Sequence, residues 1–316
     1  MQYKLPQLDI AYRWLCQQRK HFPPNANIWH FRCHYSAIKS DLLRQINTGD
    51  YRFSPLQKII KQNGQIIHLW GSQDGLVMKL MATDLQSLLS LSPLCTHVKG
   101  HGGLKQTVVD IRGHLDDYHY VCKTDVKGFY ESINQYLLLE QINDAVGDSD
   151  LRHYLYQVIH RCVEYGGQFK DIGNGISRGC PLSPILGALY FKAMDDHFTS
   201  KNLYYVRYMD DILIMTKTRW HNRKAIKQLN QILNKLKVEK HPDKTYIGKR
   251  ENGFNFLGYY FKGGQLTVAK KTVEKHVLHI SQLYEQLRIK KATSSEIASS
   301  LGLTVKRWQR RAAAEL

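Results

Sequence analysis

The feature that most constrains the fold is a pair of acidic residues between two short apolar runs. Residues 203–208 and 212–215 are rich in β-branched and aromatic side chains, and Met209, Asp210 and Asp211 lie between them. Runs of this kind, separated by so few residues, predict a β-hairpin. The hairpin would present Asp210 and Asp211 at its turn, beside an apolar sheet.

A third carboxylate lies at the end of another predicted strand. Residues 118–125 are typical of a strand that ends at Asp125, and residues 129–139 predict a helix. Antiparallel pairing would bring Asp125 next to Asp210 and Asp211. Two interpretations of the acidic pair remain open, ordinary turn chemistry or a metal site. The apolar flanks favour the metal site, because carboxylates at a buried edge need a partner, and oxygen ligands suit Mg²⁺.

The rest of the chain predicts mixed helices and strands without an internal repeat. We expect two helices over residues 7–47 interrupted at Pro23 and Pro24, strands over 65–70 and 75–80, and helices over 82–91, 185–194 and 219–236, followed by a basic helical tail. The glycine-rich basic segment 99–105 suits either a connecting loop or the approach of backbone to a phosphate.

Charge and composition limit the classes of partner that the chain is expected to bind. Lys and Arg total 45 against 27 Asp and Glu, a net charge of +18, which favours a polyanion such as nucleic acid. The six cysteines form no Cys-x-x-Cys pair, so neither a zinc ribbon nor a disulfide framework is indicated. No run reaches the ~20 apolar residues of a membrane span. We therefore expect a cytoplasmic protein without a membrane partner.

Several motifs resemble those of reverse transcriptases and occur in that family's order. Tyr208-Met-Asp-Asp211 resembles the catalytic signature, residues 123–130 the first aspartate motif, 179–184 the loop that contacts template and nucleotide, 241–245 the lysine motif and 254–259 the primer-grip hairpin. The resemblance covers roughly residues 50–262 and is nearest to bacterial enzymes of the group II intron and retron type.

The resemblance implies an α+β fold, the right-hand polymerase with fingers, a palm built on an antiparallel sheet and a short helical thumb. The expected division is an N-terminal helical extension over 1–48, fingers over 49–117, palm over 118–262 with finger-associated helices at about 140–178, and a helical thumb over 263–316.

The same resemblance implies an RNA-directed DNA polymerase that works by two-metal nucleotidyl transfer. Its catalytic residues would be Asp125, Asp210, Asp211 and Lys244. Two Mg²⁺ ions, with Mn²⁺ as a substitute, would be held by the three aspartates and the backbone carbonyl of Val126. Lys244 would protonate or neutralise the leaving pyrophosphate; a solvated surface lysine is the alternative.

Residues implied in substrate binding fall into two sets. The nucleotide-binding set is Tyr130, Arg178, Gly179, Lys79 and Arg52, and the nucleic-acid-binding set is Tyr208, Ser183, Pro184, Leu257, Gly258, Lys271 and Lys275. Tyr130 would exclude a ribonucleotide 2′-hydroxyl, unless it is a core aromatic. Arg178 departs from the family, which usually has Gln there, and a guanidinium could stack on a base or pair with a phosphate.

The biological role is inferred from the compact form of the chain. After residue 262 the sequence has no Cys-rich nuclease segment, ribonuclease H segment or full splicing domain. It thereby resembles bacterial defence-associated reverse transcriptases, some of which copy a dedicated non-coding RNA. The expected partners are such a cognate RNA template, nascent DNA and deoxynucleoside triphosphates. The alternatives are a stand-alone intron- or retron-type enzyme of a mobile element, or a non-catalytic RNA-binding protein with this fold.

Overall fold

The computed structural model describes residues 2–60, 64 and 66–313. The helices are α1 (Leu5–Gln18), α2 (Asn27–Asn47), α3 (Ser72–Leu88), α4 (Gly103–His114), α5 (Phe129–Ser132), α6 (Gln135–Ala145), α7 (Ser149–Ile159), α8 (Ser183–Tyr190), α9 (Lys192–Thr199), α10 (Arg219–Lys235), α11 (Lys270–Ile289) and α12 (Ser294–Ala313). The strands are β1 (Leu56–Ile60), β2 (Ile66–Leu69), β3 (Tyr120–Thr124), β4 (Cys162–Tyr165), β5 (Gln168–Asp171), β6 (Tyr204–Tyr208), β7 (Asp211–Thr216), β8 (Tyr246–Lys249), β9 (Phe254–Phe256), β10 (Tyr259–Lys262) and β11 (Gln265–Val268). Within the described ranges, no helix is both long and apolar enough to cross a lipid bilayer.

The chain forms two compact units. The first comprises Met1–Ser92, Lys127–Ala193 and Leu233–Glu239, and the second Pro93–Val126, Met194–Ile232 and Lys240–Leu316. Helices combined with largely antiparallel sheets confirm the predicted α+β class. The four-part division into extension, fingers, palm and thumb stays a prediction.

The first unit begins with the two predicted helices. Proline stands in the first turn of α1, where its missing N–H is no loss. The apolar stripes of α1 and α2 are buried, and the rings of Tyr12 and Tyr35 stack with centroids 3.7 Å apart. Residues 19–26, which contain both prolines, separate the helices as the sequence predicts.

The predicted strand over residues 75–80 is wrong, because this segment lies inside α3. Leu76, Val77, Met78, Leu80 and Met81 are all buried, so the helix is covered on most of its surface. A short apolar run does not distinguish a strand from a buried helix.

Two other predicted helices are each divided into two. The segment 129–139 forms α5 and then α6, because Asn134 leaves the helical conformation and its side chain accepts a hydrogen bond from Leu137 N at 3.0 Å. The segment 185–194 likewise spans α8 and the start of α9. The unit also contains a sheet with strand order β2-β1-β4-β5.

The second unit is built on an antiparallel sheet with strand order β6-β7-β3-β8. One face, which includes Val121, Leu213 and Met215, packs on α4 and on the β9–β11 sheet. On the opposite face, the ring of Tyr205 stacks on Phe198 of α9. Burial on both faces explains why β7 is an almost continuous apolar run.

Candidate active site

The predicted hairpin is confirmed, with a tighter turn than expected. Tyr208 pairs with Asp211, so only Met209 and Asp210 form the turn and Asp211 is already the first residue of β7. Met209 has a φ of 54°, a left-handed conformation in which glycine is usual. A non-glycine residue in that conformation costs free energy, and contacts from elsewhere must hold it.

Strand pairing sets Asp125 beside the hairpin turn. β3 pairs with β7 so that Thr124 lies opposite Ile212, and the next step of this antiparallel register places Asp125 opposite Asp211. Like charges at directly opposed positions destabilise a sheet. This arrangement therefore indicates a binding role for the carboxylates and not a contribution to stability.

The charges of these residues act on one another. Burial first, and then the carboxylates of Asp210 and Asp125, raise the pKa of Asp211 to about 6. Lys123 and Lys244 partly offset this shift. Burial lowers the pKa of Lys123, and the carboxylates of Asp211 and Asp125 oppose that change.

Lys244 is held against Asp125 by the segment that follows α10. Lys244 lies in a 3₁₀ turn, and its Nζ donates to Asp125 Oδ2 at 2.7 Å. The backbone of Asp125 accepts from His241 N at 2.7 Å, and Val126 forms a β-bridge with Lys240. The hydrogen bond to Asp125 raises the pKa of Lys244. The Lys244 side chain is 51% exposed, so it can exchange Asp125 for a ligand.

The donor set of this site fits a hard cation. Asp125, Asp210 and Asp211 offer only oxygen atoms, which Mg²⁺ prefers, and their mutual repulsion is the kind that a divalent cation relieves. In the described part of the chain, however, no three His, Cys, Asp or Glu side chains converge tightly enough to form a complete metal site. The ammonium of Lys244 forms an ion pair with Asp125 at 2.7 Å.

A buried ion pair lies beneath the turn. Arg207 and Asp195 are 0% and 1% exposed, and Arg207 Nε and Nη2 reach the two Asp195 oxygens at 2.8 and 2.5 Å. Burial opposes the charge of Arg207, but Asp195 outweighs it and the pKa of Arg207 is raised. Arg207 Nη1 donates to Met209 O at 2.8 Å. The pair thus anchors the turn residue whose conformation is strained.

The segment before α4 supports the turn from a second direction. Arg207 N donates to Leu94 O, and Thr96 N donates to Arg207 O, both at 2.9 Å. His97 Nδ1 accepts from Met209 N at 3.0 Å, and the His97 ring meets Tyr208 edge-on. Both backbone polar groups of Met209 are therefore held by side chains.

Segment 99–105, for which the sequence suited a connecting loop, includes the first residues of α4.

Tyr130 belongs to the first unit, in α5. Its carbonyl accepts from Ile176 N at 2.7 Å. Gly175 makes this approach feasible, because it has a φ of 70° and a Cβ there would lie 2.6 Å from Tyr130 O. The loop that begins at Gly175 and the predicted nucleotide-selecting tyrosine are thus joined through backbone contacts.

Four further predicted binding residues follow, Arg178 and Gly179 in the same loop and Ser183 and Pro184 at the start of α8. Arg178 and Gly179 are exposed, whereas Ser183 is buried and its hydroxyl donates to Ser177 O within the loop. Pro184 lies in the first turn of α8, as expected. Arg178 lines a cavity of about 450 Å³ together with His68, Glu131 and Arg161.

The remaining predicted residues are placed as follows. Lys79 Nζ lies 5.2 Å from the centre of the Trp14 ring, and Arg52 donates to the carbonyls of Gly49 and Tyr51. Leu257 and Gly258 form the β9–β10 turn with φ values of 49° and 88°, and Gly258 O accepts from Thr272 Oγ1 at 3.0 Å. Lys271 and Lys275 are exposed on α11.

Sequence reasoning missed Asp195, His97 and the role of Arg207. One signal was present, since Arg207 interrupts an otherwise apolar strand and a charge on a buried strand needs a buried partner. The sequence did not identify that partner. His97 carries no local signal, because it lies in an irregular segment and acts on backbone.

Comparison with known proteins identifies the family to which this chain is similar. The family model described as reverse transcriptase (RNA-dependent DNA polymerase) matches residues 41–261. The COX1/OXI3 intron 2 protein of Saccharomyces cerevisiae is 21% identical over 288 residues, 70% of this chain and 34% of that protein. Protein YkfC of Escherichia coli is 19% identical over 276 residues, 71% of both. The chain thus spans about a third of the length of the yeast relative.

Among solved structures, apo telomerase from Candida tropicalis truncated from its C-terminal domain superposes with a TM-score of 0.52 at 15% identity, covering 74% of this chain and 60% of that one. At such identity the likeness shows the fold alone. The predicted right-hand polymerase fold is confirmed.

Proposed function

The chain belongs to the reverse transcriptase (RNA-dependent DNA polymerase) family, and we propose that it is an RNA-directed DNA polymerase that adds deoxynucleotides to a primer 3′ end. The observation that carries the proposal is the convergence of three carboxylates: Asp210 and Asp125 both act electrostatically on Asp211, at the end of the β3–β7 pairing and in the adjoining turn. In-line nucleotidyl transfer is achieved mainly by positioning and by stabilising charge, which is what converging carboxylates and their cations provide.

The residues have separate tasks in this proposal. Asp125, Asp210 and Asp211, with the backbone carbonyl of Val126, would hold two Mg²⁺ ions, for which Mn²⁺ is the expected substitute. When bound, the ions activate the primer 3′-hydroxyl and hold the triphosphate. Lys244 remains protonated, because its hydrogen bond to Asp125 raises its pKa. Away from Asp125 that shift is lost, and the ammonium would neutralise the leaving pyrophosphate or donate a proton to it.

The nucleotide and the nucleic acid would be held by the two sets named from the sequence. Tyr130 would select deoxynucleotides, and the exposed Arg178 would contact a base or a phosphate from its cavity. Arg178→Gln tests the latter role. We expect altered misincorporation or template preference in primer extension. If both are unchanged, the role of Arg178 is refuted.

The polymerase proposal is tested by Mg²⁺-dependent incorporation of deoxynucleotides on a primed RNA. We expect Asp210→Asn and Asp211→Asn each to reduce incorporation by at least about 100-fold, the scale of losing one transition-state charge contact. Asp243→Asn is the matched control, because it removes the same charge from an exposed position in the Lys244 turn. Incorporation by the Asp210 and Asp211 variants equal to that of Asp243→Asn would refute this active site, and no incorporation by the wild type would favour a non-catalytic RNA-binding protein.

The finer proposal is that the template is a dedicated non-coding RNA and that its cDNA serves anti-phage defence. It is supported by the resemblance to compact defence-associated enzymes and by the charge of +18, which suits a stable RNA complex. The test is to purify the protein from its own cells and sequence the RNA and DNA that accompany it. One RNA species with matching cDNA is expected; RNA of random sequence refutes the dedicated template.

A second candidate is a reverse transcriptase of a mobile element. The names of two relatives favour it, since both are intron proteins of COX1/OXI3. In that case the accompanying RNA would contain intron or retron RNA encoded next to this gene.

A further inference from the structure

A basic surface lies at the end of β7 remote from the aspartates. β7 runs from Asp211 to Thr216, and Lys217, Thr218 and Arg219 follow directly. A strand of 6 residues spans roughly 17 Å. This surface therefore lies about one strand length from the carboxylates and is separate from them.

Two adjoining cavities form a groove at this surface. Their volumes are about 430 and 490 Å³, and Tyr120, Arg219 and Lys249 line both. We call them together the distal groove and define it by Tyr120, Lys217, Arg219, Asn222, Arg223 and Lys249. The groove runs between the start of α10 and the edge strand β8.

The charge of the groove is only partly compensated. Lys249 pairs with Glu251 at 2.9 Å. Within the described chain, by contrast, no carboxylate lies within ion-pair distance of Lys217, Arg219 or Arg223. Three cations along one groove repel one another, and a polyanion with regularly spaced charges would bind them together.

One further feature favours RNA as the polyanion. Trp220, in the first turn of α10, lines neither cavity but follows Arg219 directly in the chain and is 63% exposed. Lys224 Nζ lies 5.2 Å from its ring centre. An exposed aromatic ring among cations is the usual platform for an unpaired base.

We propose that the distal groove is a second nucleic-acid-binding site, which holds single-stranded RNA through its phosphates, with one base stacked on Trp220 beside the groove. Its role would be to anchor template RNA at a point remote from the reacting 3′ end. That role rests on the polymerase function proposed above, whereas RNA binding by the groove does not.

The test compares two variants of equal charge. One combines Lys217→Gln, Arg219→Gln and Arg223→Gln in the groove, and the other neutralises three exposed lysines outside it, Lys201, Lys227 and Lys235. All six side chains are exposed, so folding is little affected. The probe is a fluorescein-labelled unstructured RNA of about 12 nucleotides. Its binding is followed by anisotropy while an unlabelled primer–template duplex saturates the catalytic site.

We expect the groove variant to bind about 100-fold more weakly at ~0.1 M salt, with a salt slope shallower by about 2, because three phosphate contacts are lost. Equal affinity in the two variants would overturn the proposal. Displacement of the RNA by polyglutamate as readily as by unlabelled RNA would overturn it in favour of an acidic protein partner.

Substitutions of Trp220 test the stacking contact separately. Trp220→Ala should weaken binding about tenfold and Trp220→Phe much less, while an abasic version of the probe should bind both equally. No loss in Trp220→Ala would refute the stacked base. Incorporation by the wild-type protein on a short primed RNA is measured in parallel. Its absence, with groove binding intact, would refute the polymerase and not the groove.

Discussion

The buried Arg207–Asp195 pair makes a prediction that separates stability from activity. Asp195→Asn preserves the shape of the side chain but removes its charge. Arg207, which is 0% exposed, then remains as a buried cation without a counter-charge. Breaking such a pair from one side costs about 3–5 kcal/mol of the free energy of unfolding. Glu251→Gln, which removes one charge from the exposed pair Lys249–Glu251, should leave the free energy of unfolding almost unchanged, because solvent screens that pair.

Replacing Asp195, Arg207 and Tyr205 together by apolar residues should restore most of the stability that Asp195→Asn loses. Tyr205 OH also donates to Asp195 Oδ1, at 2.6 Å, so the replacement must include it. We expect Tyr205→Phe, Asp195→Leu and Arg207→Met together to recover to within about 2 kcal/mol of the wild type, because apolar groups of similar volume substitute well for a buried ion pair.

Activity should not return with stability. The apolar variant loses the hydrogen bond that Arg207 Nη1 donates to Met209 O at 2.8 Å, so the left-handed turn that presents Asp210 is held less firmly. We expect single-turnover primer extension to fall by at least about tenfold, the equivalent of ~1.4 kcal/mol. Urea unfolding followed by circular dichroism gives the stability of the same samples. A stable apolar variant with wild-type extension would refute the positioning role.

Three further predictions concern neighbouring residues. His97→Phe should slow extension about tenfold, because Met209 N loses an acceptor at 3.0 Å, whereas His97→Asn offers an oxygen and should restore most of the rate. Asp211→Asn should raise the melting temperature of the metal-free protein above pH 6. The pKa of Asp211 is raised from 3.8 to about 6, so its ionisation costs folding free energy as pH rises through that interval; thermal melts across pH check this. Gly175→Ala should destabilise by about 2–4 kcal/mol in urea, because its Cβ would lie 2.6 Å from Tyr130 O at a φ of 70°, whereas Gly173→Ala, in open space, should be neutral.

The local residue pattern was sufficient to predict the hairpin that carries Asp210 and Asp211. Alternating apolar residues and a short polar turn specify such a structure through neighbours in the chain, and β6 and β7 form as predicted. The pairing of β3 with β7 is different, because the two strands are some 90 residues apart. Their juxtaposition was expected from spacing and from the family resemblance, since residue patterns alone do not choose a strand's partner.

The errors have a common physical origin. Residues 75–80 form part of a helix and not a strand, because α3 is buried on most of its surface and its apolar run has no polar face to reveal the period. Asp195 was missed because its partner lies on another element, at a separation that only the folded chain closes. Burial and long-range partnership are tertiary properties, and local propensity does not encode them.

The hairpin turn departs from the rules of a stable sheet in several ways at once. Met209 is left-handed without being glycine, the carboxylates of Asp125 and Asp211 repel each other, and Arg207 is charged in a core. Each departure costs free energy on its own. Arg207 connects them, since the cation that requires Asp195 also holds the Met209 carbonyl. Buried contacts of the same unit thus offset the free-energy cost of the turn, and their removal should release the turn and separate the carboxylates even where apolar packing restores stability.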